Sequence, residues 1–175
     1  MRIDGKKIYI KSITYNDTDD IIKWRNRSFV RDNFIFRTTF TRKIHENWMK
    51  NMVETGKVIQ FIMYTKSDDR KIGSVYLRDI DEANKKCEFG IFIGEEDCLS
   101  KGYGREAADL ICNYAFSNLD IYKILLRVLA GNERALNSYK KSGFSVEGKF
   151  NADVWLDGEP VDVIFMARFN PDYKK

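Results

Sequence analysis

The chain has 175 residues, 43% of them hydrophobic, and a formal net charge of +4. That is enough apolar material for one core without disulfides or metals, so a single domain over residues 1–175 is expected. No apolar run approaches the ~20 residues that span a bilayer, and Met1-Arg2-Ile3-Asp4-Gly5 leads into a strand-like stretch rather than an apolar signal core, which predicts a cytoplasmic protein with no membrane association.

Lys7 to Ile13 alternates as a strand does, and Asn16-Asp17-Thr18 offers caps for a helix carrying Ile21, Ile22 and Trp24. Thr41 can cap a second helix through Ile44, Trp48, Met49 and Met52 that closes at Gly56, with loop between the two helices. Val58 to Thr65, Lys71 to Ile80 and Lys86 to Ile93 read as three strands of an antiparallel meander. Ala107, Ala108, Ile111, Ala115 and Phe116 form a helical stripe between Gly104 and Asn118, and Lys123 to Leu129 is a strand. Asn132 can cap a helix ending at Gly143, and two last strands, Phe150 to Leu156 and Val161 to Phe169, flank the Asp157-Gly158 turn. The order β-α-α-β-β-β-α-β-α-β-β describes an α+β domain on a mixed sheet.

Three cysteines, Cys87, Cys98 and Cys112, show no C-x-x-C spacing and suggest free thiols, with no zinc or other metal site. Between Lys23 and Lys43 lie Arg25, Arg27, Arg31, Arg37 and Arg42 against a single acid, Asp32. Such a tract can attract the phosphates of a ligand or of nucleic acid, or it can be a solvated face.

The segment Ser100-Lys101-Gly102-Tyr103-Gly104-Arg105 puts a glycine-bearing loop at a helix start. Unpaired N–H groups of a first helical turn carry the positive end of the helix dipole, and glycines let a pyrophosphate approach the backbone. The loop fits neither G-x-x-x-x-G-K-[ST] nor G-x-G-x-x-G. Downstream runs Asn132-Glu133-Arg134-Ala135-Leu136-Asn137-Ser138-Tyr139-Lys140-Lys141-Ser142-Gly143-Phe144.

With these two segments the chain resembles the GNAT superfamily of acetyltransferases. The superfamily's Q/R-x-x-G-x-G/A signature aligns with Leu99 to Gly104, and its N-x-x-A-x-x-x-Y-x-x-x-G-F helix aligns without gaps on Asn132 to Phe144. Leu99 departs from the usual Gln or Arg. Gly143-Phe144-Ser145-Val146-Glu147-Gly148 and the Asp157-Gly158 hairpin look like the branch of ribosomal-protein N-terminal and spermidine acetyltransferases. The resemblance implies a mostly antiparallel mixed sheet flanked by helices, with splayed strands forming a coenzyme A cleft. It also implies acceptor-side helices at about residues 17–56, a coenzyme A core at about 86–144, and acetyl-coenzyme A as cosubstrate with no metal.

By the same resemblance Ile91, Phe92 and Ile93 give main-chain contacts to the pantetheine arm. Leu99, Ser100, Lys101, Gly102, Tyr103, Gly104 and Arg105 hold the pyrophosphate, with Asn132 beside them. Tyr139 lies two helical turns beyond Asn132 on the same face and reads either as the acid that protonates the departing thiolate or as a core tyrosine. Only about one lysine-like amine in 2,500 is uncharged at neutral pH, so a base is needed. Glu88 is the candidate, its alternative being a cross-strand ion pair with Lys85 or Lys86. His45 is a substrate-side residue or a packing residue.

On the acceptor side, the basic tract with Trp24, Phe29, Phe34, Phe36, Phe40 and Trp48 favours an anionic small-molecule amine over a polycation. Trp24-Arg25-Asn26 with His45 and Trp48 also looks like acetyltransferases that modify nucleotide-linked amino sugars, and Trp155 could border any acceptor. A polyamine or a protein N-terminus are alternative acceptors, and a homodimer is one assembly open to the chain. Two other classes remain: a non-catalytic acyl-coenzyme A sensor, and a nucleic-acid binder using residues 23–43, which explains the Gly102 to Phe144 spacing less well.

Overall fold

The computed structural model describes residues 1–173. Eight strands form one sheet in the order β1-β2-β3-β4-β5-β6-β8-β7, where β1 is Arg2–Asp4, β2 Ile8–Ser12, β3 Ile59–Thr65, β4 Lys71–Asp81, β5 Lys86–Ile93, β6 Lys123–Leu129, β7 Ser145–Leu156 and β8 Glu159–Phe169. Every neighbouring pair is antiparallel except β5 and β6. Those two are joined through helix α4, Tyr103–Asn118, the crossover a parallel pair requires.

Strand alternation divides the sheet into two faces. Val75, Leu77, Cys87, Phe89, Ile124 and Leu126 point to one side and bury against Ala107, Ala108, Ile111 and Ala115 of α4. Helix α5, Glu133–Lys141, adds Ala135, Leu136 and Tyr139 to that layer. Burying each large aliphatic side chain there contributes about 1.5–3 kcal/mol. The opposite face is covered by α1 (Thr18–Asn26), α2 (Ser28–Arg31) and α3 (Arg42–Trp48); Ile21, Trp24 and Val30, with Met49 of the helical turn that continues α3, pack on Ile62 and Phe92.

The order read from sequence holds, with three differences. Arg2–Asp4 pairs with β2 as an added edge strand. The stretch between the first two predicted helices contains α2, a single turn too short to leave a periodic stripe. Strand β7 begins at Ser145 rather than Phe150, because register shifts at Val146/Gly148 and Phe150/Val154 interrupt the alternation that marks a strand. Asp157 and Gly158 have φ of 53° and 86°, the paired positive values that the hairpin turn demands.

Candidate active site

β5 and β6 pair only from Lys86 to Glu88, opposite Lys123 to Leu125. Beyond Glu88 the strands separate: β6 stays on β8 out to Leu129, while β5 stays on β4 out to Ile93. The edge of β5 that faces β6 therefore presents main-chain groups of Phe89 to Ile93 that no strand takes up. A cleft of about 640 Å³ opens there, lined by Ile91, Phe92, Ile93, Leu99, Ser100, Gly102, Gly104, Arg105, Asn132 and Tyr139 among others.

At one end of the cleft α4 begins. Gly102 is its N-cap with φ of 85°, a left-handed conformation glycine adopts without strain, and Ser100 at φ 60° turns the preceding loop. The turn leaves the first amides of a 16-residue helix open to the cleft. Gly104 carries no side chain to close the approach; the nearest atoms to a Cβ built there are the Ile93 and Ile91 Cδ1 methyls, at 3.6 and 3.9 Å. Lys101 and Tyr103 flank the loop without lining the cleft, whereas Arg105, Arg134 and Lys141 line it. At the start of α5, Asn132 caps the helix by accepting from the Ala135 N–H at 3.1 Å. This combination of free strand edge, open helix start and basic wall fits a long ligand ending in phosphates.

Tyr139, on α5, is half-buried with its ring edge-on to Phe89 and Phe144. Burial raises the pKa of its phenol, the nearby Tyr76 raises it further and Arg134 opposes both, so the group stays protonated. Glu88 sits where β5 and β6 part. Its Oε1 accepts from Arg78 Nη2 at 2.6 Å and from Arg127 Nη2 and Nε at 3.2 and 3.3 Å. The predicted lysine partners lie elsewhere, Lys85 on Asp120 and Lys86 near Asp81 at 3.9 Å. They are displaced because register, not sequence proximity, sets cross-strand neighbours: Arg78 stands opposite Glu88 and Tyr76 opposite Gly90.

Tyr76, Arg78 and Arg127 line the cleft and were not singled out from the sequence. The signal was the i, i+2 spacing of Tyr76 and Arg78, which sets both on the face opposite the apolar Val75 and Leu77.

The four residues expected on the substrate side do not converge. Trp24 is 1% exposed, and its indole N–H donates to Glu95 at 2.8 Å. His45 is also 1% exposed, its Nδ1 3.1 Å from the Thr18 hydroxyl. Trp155 is 72% exposed on β7, and none of these three lines the cleft. Arg25 lies behind the wall, its guanidinium 3.3 Å above the Phe34 ring.

The basic tract is largely neutralised: Lys23 and Arg27 pair with Glu95, Arg31 with Asp32, Arg37 with Asp157, and Arg42 with Asp19 and Glu46. These pairs interrupt the run of positive charge on which a nucleic-acid reading rested. The Cys87 and Cys112 thiols are pushed up to about 12 by burial, which leaves them unreactive.

An acyl-coenzyme A cleft of the transferase kind is the class that this splayed sheet and helix start define. Residues 7–145 match the acetyltransferase (GNAT) domain family, and the chain belongs to it; the family uses acetyl-coenzyme A. The spermidine N(1)-acetyltransferase of Escherichia coli is 37% identical over 106 residues, 61% of this chain and 56% of that relative, so the match spans little more than half of the relative's length. The spermidine N-acetyltransferase of Vibrio cholerae, solved with CoA and spermine, superposes with a TM-score of 0.87 at 21% identity over 94% of this chain and 96% of that one. The ribosomal-protein-S5-alanine acetyltransferase of Vibrio fischeri superposes with a TM-score of 0.86 at 18% identity over the whole of both chains. These two likenesses establish the fold. Among the described residues no helix is long and apolar enough to cross a membrane.

Proposed function

We propose that residues 1–175 act as one N-acetyltransferase domain that moves the acetyl group of acetyl-coenzyme A to a primary amine by direct attack in a ternary complex. The observation that carries this is the parting of β5 from β6 after Glu88, which opens a free strand edge between the amides of α4 and the Tyr139 phenol.

In this reading Ile91, Phe92 and Ile93 offer main-chain hydrogen bonds to the pantetheine arm, and the loop from Leu99 to Arg105 takes the pyrophosphate. Loss of the usual polar side chain at Leu99 matters little, because the loop amides do the binding. α1 to α3 and the loop between them form the acceptor side, with Phe29, Phe34 and Phe36 as its wall.

Glu88 removes a proton from the substrate ammonium, directly or through one water, at the oxygen not shared by the two arginines. The amine nitrogen then bonds to the thioester carbon, a β5 amide stabilises the oxyanion, and the C–S bond breaks as Tyr139 gives its proton to sulfur. The second proton shed by the nitrogen passes to the tyrosinate and restores the phenol, while the proton on Glu88 leaves to solvent. The burial that keeps Tyr139 protonated also makes it a reluctant acid. The departing thiolate is desolvated in the same cleft, which raises its own proton affinity to match.

Thiol release from acetyl-coenzyme A tests the reading, with an acceptor panel of spermidine, N-terminal peptides, aminoglycosides and nucleotide-linked amino sugars. Turnover that depends on Tyr139 and Glu88 is expected with one acceptor class. Cofactor binding without turnover on any amine would favour an acyl-coenzyme A sensor instead, and sizing the same sample tests a homodimer.

A further inference from the structure

The acceptor end of the cleft holds more positive than negative charge. Arg78 and Arg127 share a single carboxylate oxygen, Oε1 of Glu88. Arg78 has a second acidic neighbour, Asp79, at 3.5 Å and 67% exposed, whereas Arg127 is the more distant guanidinium on Glu88 and has no other acidic partner among the described residues. Behind the wall, Arg25 is held between the Phe34 and Phe40 rings at 3.3 and 5.0 Å. Its Nη1 is buried without a hydrogen-bond partner, and its Nη2 reaches only the Phe36 carbonyl at 3.5 Å. Burial pushes the Arg25 pKa down to about 10.

These groups share one focus. Arg78, Arg25, Glu88 and Arg127 all act electrostatically on the phenol of Tyr76, which lines the cleft and lies near enough to Tyr139 to raise its pKa. Three guanidiniums and one carboxylate around a half-buried site make an imbalance that solvent screens poorly. Among the described residues Glu88 is the sole acidic residue of the cleft lining, set against Arg78 and Arg127 at this end. A polycation entering here meets repulsion; an anionic group completes the network. Guanidiniums also match carboxylate and phosphate oxygens in geometry as well as charge.

We infer that Arg78 and Arg127 form an anion subsite that selects, as acceptor, a primary amine carrying a carboxylate or phosphate within a few bonds of its nitrogen. This rests on the acetyl-transfer reading. The amine lies toward the free Glu88 oxygen and the acid on the outward N–H groups of the two arginines. The field of Arg25 reinforces the subsite from behind Phe34, and the aromatic wall takes the remainder of the molecule.

The test uses matched pairs that differ in the acid alone, O-phosphoethanolamine with ethanolamine and phenylalanine with phenethylamine, with spermidine as the polycation. A charge-assisted hydrogen bond supports about a tenfold or greater preference in kcat/KM for the acidic member of at least one pair. The phosphate and carboxylate pairs tell which acid is read. Arg127→Gln should collapse that ratio and Arg127→Lys should keep part of it, whereas a purely structural arginine would lower both members alike and leave the ratio unchanged.

Equal use of both members of each pair, or preference for spermidine, overturns the inference. If no amine is acetylated, the transfer reading fails separately, and the subsite is read by calorimetry. O-phosphoethanolamine and phenylalanine are then titrated into CoA-loaded protein: salt-sensitive binding of either that Arg127→Gln removes supports the subsite, and absence of binding by both overturns it.

Discussion

Tyr76 fills the space that a side chain at Gly90 would need: a Cβ built there comes within 2.2 Å of Tyr76 Cζ and 2.4 Å of its hydroxyl oxygen. The pair stands opposite in the β4–β5 register, just past the point where β6 leaves β5. Gly90→Ala should therefore push the tyrosine from its seat, at a cost of about 1–3 kcal/mol for overpacking. Thermal melting checks it, and Tyr76→Leu in the same chain should restore part of the loss because the two sites are in contact. Strictly additive losses would show that the ring moves aside freely.

Tyr139→Phe removes the hydroxyl proposed as the proton donor and leaves the ring contacts with Phe89 and Phe144 in place. We expect kcat to fall by about 10²–10⁴ with acetyl-coenzyme A binding unchanged, the usual range for one acid–base group. The elevated phenol pKa also has a sign. Its neutral form is the one favoured by folding, so its stability contribution is complete below the ordinary value of 10 and is lost as pH rises above it. Wild type should lose melting temperature at strongly alkaline pH faster than the variant.

What could be read in advance depended on how local the chemistry is. The Gly102 loop and the Asn132 to Phe144 helix were legible because caps, left-handed glycines and helical spacing are fixed within a few residues. Tyr76, Arg78 and Arg127 were not, because their meeting with Glu88 depends on the register of three strands drawn from distant segments. Trp24 and His45 looked like acceptor residues by type, but helix phase turns both inward, onto Phe92 and Thr18. The basic tract misled for the same reason, since most of its partners come from outside it, as with Glu95 and Asp157.

His45 gives a pH prediction. Burial lowers the pKa of its imidazole below the ordinary 6.5, partly opposed by Asp17 and Glu46 and assisted by Arg42. A depressed folded value means that the stability tied to the neutral ring is present above pH 6.5 and is lost as pH falls through the folded pKa. His45→Gln should flatten the decline in melting temperature between neutral and mildly acidic pH. Its kcat/KM should match wild type, since the ring does not line the cleft; a changed KM for the amine would return His45 to the acceptor side.

Glu95 ties α1 to the end of β5 and should dominate at lower pH. Burial works against its charge, but hydrogen bonds from the Trp24 indole, Arg27 and Lys23 outweigh it and hold the carboxyl down at about 2, against an ordinary 4.5. The ionised form is thus favoured by folding. Its contribution is complete above pH 4.5 and disappears as pH falls toward 2. Glu95→Gln keeps an acceptor for the indole and removes the charge that Arg27 and Lys23 face, so the variant should melt well below wild type at neutral pH. The two melting curves should converge as pH approaches 2, where the wild-type carboxylate is protonated too. A constant gap across that range would mean that packing of Trp24 around residue 95, and not the charge, sets its contribution.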